Sequence, residues 1–159
     1  MDGLDIYYNS QDVSYKMPFG AVEAGTKVKL SIKINKEINV ALELILPNGN
    51  VINLGLEKEY LNHGYFKYSV EIDTSKYIGA LYYYFVLMDG YDKGYYGNND
   101  ERLGGVGQFY CYAPIPYQLT VFEKFKVPEW YKEGVIYQIF VDRFFNGNED
   151  GVITCPKKN

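Results

Sequence analysis

Period-two alternation constrains this chain more than any other feature. In TKVKLSIKI, Val28, Leu30, Ile32 and Ile34 alternate with Lys27, Lys29, Ser31 and Lys33. Side chains on a strand point to opposite faces in turn, so this run predicts a strand with one side on a core and a charged side in water. INVALELILPNGN repeats the pattern, with Val40, Leu42, Leu44 and Leu46 on one face and Ala41, Glu43 and Ile45 on the other. Its Asn-Gly reads as a hairpin turn. YFKYSVEI sets Phe66, Tyr68, Val70 and Ile72 against Tyr65, Lys67, Ser69 and Glu71. YIGALYYYFVLMDG has no polar alternation, which predicts a central strand covered on both faces or along much of its length. YQLTVFE, residues 117–123, closes the series. No apolar face of helical period appears before residue 125.

Short strands separated by turn residues predict an all-β fold, an antiparallel β-sandwich of immunoglobulin-like type, over residues 1–123. Residues 124–134, with Pro128 in KFKVPEWYKEG, read as a linker, and Trp130 is expected to pack between segments. Pro18 and Gly20 mark a turn after the broken extended pieces at the start. Residues 89–107, rich in Gly, Asn and Asp, read as a loop that carries Tyr91, Tyr95 and Tyr96.

Tyrosine is abundant, 18 of 159 residues. Strand propensity in an all-β domain explains much of it, because Tyr joins a large apolar face to a polar tip. Some rings are also candidates for stacking on a ligand, namely Tyr65, Tyr91, Tyr95 and Tyr96. A net charge of -4 without a basic block argues against nucleic acid and against anionic lipid as partners. No run approaches the ~18 apolar residues of a membrane span. Cys111 and Cys155 do not form a disulfide framework and read as free thiols, and His63 in LNHGY reads as a turn residue. MDGLDIYYNS lacks the basic start and apolar core of a signal peptide, and the compartment stays open.

The segment EGVIYQIFVDRFFNGNEDG, 133–151, differs from all this. VIYQIFVDRFF is a near-continuous apolar run, the pattern of a parallel strand buried on both faces. Such a strand needs neighbours and covering helices, so residues 135–159 read as the truncated start of a second domain. PEWYKEGVIYQIFVDRFFNGN resembles the entry into the catalytic (β/α)8 barrel of the α-amylase superfamily of glycoside hydrolases, and within it the neopullulanase, cyclomaltodextrinase and α-amylase type. SYKMPFGAVEAGTKVKLSIKI and ALYYYFVLMDG resemble the immunoglobulin-like N-terminal domain of that type, often classed as starch-binding.

The resemblance implies hydrolysis of α-glucosidic bonds with retention, by a carboxylate nucleophile and a carboxylic acid/base ~5–5.5 Å apart. In the family these residues lie at the ends of barrel strands 4, 5 and 7. No position here matches them, so no hydrolase activity is expected from this chain alone. Asp142 beside Arg143 reads as a structural pair. The family often holds calcium just after barrel strand 1, through an Asn, an acid two residues on, and a later Asn-Asp pair. Asn146 matches the first, Asn148 stands where the acid is usual, and Asp150 arrives sooner than the pair. The same three residues before Gly151 also open an EF-hand-like spacing, which fails at Lys157 where a Glu is required. A solvated turn remains the alternative there.

Two functions follow. One is an accessory module that binds an α-glucan oligosaccharide through aromatic rings. The other is a structural domain that packs on the catalytic barrel or mediates a homodimer, its tyrosines serving as interface anchors. An unrelated immunoglobulin-like adhesion module would not carry the barrel-like run.

Overall fold

A computed structural model describes residues 3–140. They divide into two units, Met1–Lys124 and Phe125–Asn159. In chain order the first unit carries β1 (Ile6–Tyr7), β2 (Lys16–Met17), β3 (Val22–Glu23), β4 (Lys27–Ile34), β5 (Asn39–Ile45) and β6 (Val51–Gly55). It continues with β7 (Glu57–Tyr60), β8 (Phe66–Asp73), β9 (Gly79–Asp89), β10 (Asp92–Gly97), β11 (Gln108–Tyr110) and β12 (Tyr117–Phe122).

These strands form two sheets. In the five-stranded sheet β1 and β2 both pair with β4, which pairs with β8 and through it with β7. In the seven-stranded sheet the long β9 is central. One edge of it pairs with β5, which pairs with β6. The other edge is shared by β10, opposite residues 85–89, and β12, opposite residues 79–83. β11 extends β10, and β3 lies parallel to β12, the one parallel ladder among the described residues. The expected all-antiparallel sandwich therefore gains a parallel edge, made when residues 18–21 carry the chain from one sheet to the other.

The alternation read from sequence becomes the core. Val28, Leu30, Ile32 and Ile34 of β4 are wholly buried, and they face Leu42, Leu44, Leu81, Phe85, Leu87 and Leu119 of the other sheet. Phe66 and Val70 of β8 are only partly buried against that core. Ser31 departs from the expectation of a solvated lysine-serine face. It is 2% exposed, and its hydroxyl meets that of Ser69 across the β4–β8 ladder at 2.9 Å.

Tyrosine contributes to the core as well. Tyr8, Tyr83 and Tyr117 are the largest fully buried side chains. Tyr83 stacks on Tyr117 with ring centroids 5.5 Å apart, Tyr8 meets Tyr117 edge-on at 5.1 Å, and the hydroxyls of Tyr8 and Tyr83 are 2.7 Å apart. Offset and edge-to-face arrangements suit the ring quadrupole, and the shared hydroxyl contact satisfies two buried polar tips.

Turn chemistry fits the ladders. Gly49 takes φ of 83° in the β5–β6 hairpin, as the PNGN signal requires. Gly107 matters through close approach: a Cβ there would collide with the Gly97 carbonyl and the Tyr117 hydroxyl. His63 sits in the turn before β8 with φ of 60°, and Cys111 is free and exposed.

The interval 89–107 is less loop-like than its composition predicts, since residues 92–97 form β10. Backbone pairing with Phe85–Asp89 holds this Gly- and Asp-containing segment in the sheet despite its weak strand propensity.

The second unit, taken alone, carries one helical turn, α1 (Glu129–Glu133), with Pro128 at its N-cap and Lys132 bonded to Glu129 at 2.7 Å. A helical turn therefore occupies part of the expected linker. Within this unit the Trp130 ring meets the Tyr131 ring edge-on at 5.8 Å. Residues 135–140 form no ladder among the described residues, and Val135, Ile136, Tyr137, Ile139 and Phe140 are exposed. No helix of the described residues is long and apolar enough to cross a membrane.

Candidate carbohydrate-binding face

The candidate site lies on the outer face of the seven-stranded sheet. Leu81, Tyr83, Phe85 and Leu87 of β9 point into the core, so Tyr82, Tyr84, Val86 and Met88 point outward. The register places Glu43 of β5 opposite Tyr84, Gln118 of β12 opposite Tyr82, and Tyr95 of β10 opposite Val86. Residues directly opposite on a ladder share a face. Three tyrosines therefore converge there, bordered by a carboxylate and an amide. Tyr82 and Tyr84 are separated by two strand residues, roughly 6.7 Å.

Contacts within the face orient its rings. The Tyr84 hydroxyl donates to Glu43 Oε1. The Tyr84 and Tyr95 rings meet edge-to-face, 5.8 Å apart at 81°, and so form a corner rather than a flat shelf. Lys93 Nζ stands 5.2 Å from the centre of the Tyr95 ring, within cation–π range. Burial first, and then the hydrogen bond to Glu43, push the Tyr84 phenol well above its ordinary pKa. It therefore stays a neutral donor throughout the physiological range. Val86, 4% exposed, forms an apolar floor in this face.

The four tyrosines read from sequence do not assemble into one site. Tyr95 belongs to the outer face. Tyr91 projects from the β9–β10 turn, fully exposed. Tyr65 precedes β8 in the other sheet, with Lys33 Nζ 4.0 Å from its ring centre and its hydroxyl donating to Asp5 at 2.5 Å. Tyr96 is 3% exposed, and its hydroxyl donates to the Gly107 carbonyl at 2.9 Å. Its alternation within β10 turns it inward, so its ring has no face to offer a ligand, a correction to the sequence expectation. Tyr82 and Tyr84 lie in the run whose lack of polar alternation predicts a strand covered on both faces or along much of its length. The signal that reveals them is the polar residue that each faces across the ladder, Gln118 and Glu43.

Beside Tyr82 the face runs into a groove of about 690 Å3 at the β12 edge. Phe19, Asn98, Gln118 and Thr120 contribute to its walls, together with Lys16 and Arg102. Asn146, Asn148 and Asp150, the expected calcium ligands, and Asp142 with Arg143 lie outside the described residues. Among the described residues no group of three or more His, Cys, Asp or Glu side chains could hold a metal ion.

No family model matches the chain. Over 152 residues it is 35% identical to an amylopullulanase of Thermoanaerobacterium thermosulfurigenes, covering 91% of this chain and 8% of that protein. An amylopullulanase of Thermoanaerobacter thermohydrosulfuricus is 34% identical over 153 residues, covering 91% of this chain and 10% of that protein. A shorter match of 76 residues, 34% identical and covering 44% of this chain and 12% of that protein, relates it to an intracellular maltogenic amylase of Bacillus subtilis (strain 168). The chain thus spans about a tenth of the length of the amylopullulanases it matches. In structure it is similar to a cyclomaltodextrinase, with a TM-score of 0.54 at 20% identity, covering 90% of this chain and 24% of that one. That likeness concerns the fold, a β-sandwich. The sequence relationships, which run over 91% of this chain, place it in the α-amylase family as the counterpart of a portion of those amylopullulanases.

Proposed function

We propose that residues 1–124 are an accessory module that binds α-glucan oligosaccharides, within a longer enzyme whose catalytic barrel lies in other parts of the polypeptide. The observation that supports this most is the convergence of Tyr82, Tyr84 and Tyr95 on one open sheet face with Glu43 and Gln118 beside them. Sugar rings offer apolar C–H faces and a rim of hydroxyls. Tyrosine faces suit the first, and carboxylate and amide groups suit the second. An α-1,4-linked chain curves, so a corner of two rings at 81° fits successive glucose units better than a flat shelf would.

A second reading has one observation in its favour. Val51, 50% exposed, and Met88, 38% exposed, lie at the margins of the same face, and apolar margins suit contact with a barrel or with a second copy. Substitution separates the two. Tyr82→Ala and Tyr95→Ala are each expected to weaken maltoheptaose binding by roughly tenfold, about 1.4 kcal/mol, in calorimetric titration. Unfolding midpoints should stay near that of the parent, because both side chains lie outside the core. Undiminished affinity in both variants would remove the face from the binding reading.

A further inference from the structure

Lys16 is an unusual lysine. It stands opposite Leu30 in the β2–β4 ladder, so it shares the core-facing side of the sheet, and it is only 6% exposed. Burial alone accounts for a lowered pKa of its amine. Among the described residues no carboxylate lies within 4.0 Å of it, nor of Arg102. Both line the groove that opens beside Tyr82, and no Asp or Glu does. In a chain of net charge -4, a groove with two cations and no acid is a local inversion of sign. A largely buried lysine without a nearby counter-charge carries a desolvation cost, and an incoming anion would relieve part of it.

The geometry points to the Lys16–Arg102 groove as a binding site for an anionic substituent, a phosphate monoester, carried on an α-glucan chain. This rests on the glucan-binding reading above, because Tyr82 belongs to both the tyrosine face and the groove wall. A chain laid along the face would deliver a phosphorylated glucose unit to the two cations. Gln118, whose Nε2 donates to Thr120 Oγ1 at 3.0 Å, and Asn98 offer further polar groups to the neighbouring hydroxyls.

The test compares maltoheptaose, singly phosphorylated maltoheptaose, and inorganic phosphate on the 159-residue chain, by calorimetry and amide shifts. The phosphorylated sugar is expected to bind at least roughly tenfold more tightly than the neutral one, with shifts at residues 16–21 and 98–104 and a preference that shrinks with added salt. Lys16→Met, which keeps the buried stem, and the exposed Arg102→Gln should each erase most of that preference and leave the neutral affinity unchanged. Equal affinities with a silent groove would overturn the inference while the tyrosine face stands. Inorganic phosphate binding as tightly as the phosphorylated sugar would overturn the glucan part of it. Groove binding of the phosphorylated sugar without any neutral binding would instead count against the tyrosine face alone.

Discussion

Replacing Tyr83 by alanine is expected to lower the stability of the sandwich by about 3–5 kcal/mol, the range for truncating a large buried aromatic residue. Tyr83 is wholly buried, stacks on Tyr117 at 5.5 Å and shares a 2.7 Å hydroxyl contact with Tyr8. The substitution removes the ring, opens a cavity between the sheets and leaves the Tyr8 hydroxyl without its partner. Small domains have only ~5–15 kcal/mol in total, so the loss should move the thermal midpoint by roughly 10 °C or more. Tyr91→Ala is the matched control. Its side chain projects from a turn and is fully exposed, and its effect should stay within about 0.5 kcal/mol. Urea denaturation of the two variants checks this. Similar midpoints for both would mean that the buried tyrosine cluster does not hold the sheets together.

The same cluster predicts cooperative unfolding in alkali. Burial holds the phenols of Tyr8, Tyr83, Tyr96 and Tyr117 above their ordinary pKa, with neighbouring tyrosines adding to the effect at Tyr8 and Tyr117. In the unfolded chain each would ionise near pH 10. Above that pH the unfolded chain holds fewer protons than the fold, so stability falls as pH rises. The contribution of these groups is fully present below about pH 10 and is progressively lost above it. Tyrosinate absorbance and circular dichroism, followed together through an alkaline titration, check this. The buried set should ionise in one step with loss of strand signal. Gradual ionisation of all 18 tyrosines with an intact dichroism spectrum would contradict the account.

Where a strand has one charged face, sequence and structure coincide. β4 shows this most clearly, since its lysines and its aliphatic residues occupy alternate positions and only one set can be buried. β5 and β8 follow for the same reason. Tyrosine breaks the correspondence because one residue type serves both sides of a sheet. Along β9, Tyr83 lies in the core while Tyr82 and Tyr84 face outward, and composition alone does not separate them. Pairing does, since each outward ring faces a polar residue on the next strand.

β10 was illegible for a different reason. Its Asp, Lys and Gly carry loop propensity, and ladder bonds to β9 override it, which turns Tyr96 into the core and leaves Tyr95 on the face. Lys16 gave no signal at all, because a single lysine in SYKMPF becomes unusual only when β2 folds onto Leu30. The barrel-like run lies at the other extreme. Its apolar pattern differs from the period-two alternation of the sandwich strands, and that contrast is legible in the sequence alone.

The central claim is that the outer tyrosine face takes an α-glucan. Amide-shift mapping of the isotope-labelled chain with maltoheptaose tests it most directly. Saturable shifts centred on residues 82, 84 and 95, and on their ladder partners 43 and 118, are the expected result. An unchanged spectrum at millimolar sugar, or shifts confined to the opposite sheet, would contradict the account and leave the sandwich as a structural domain.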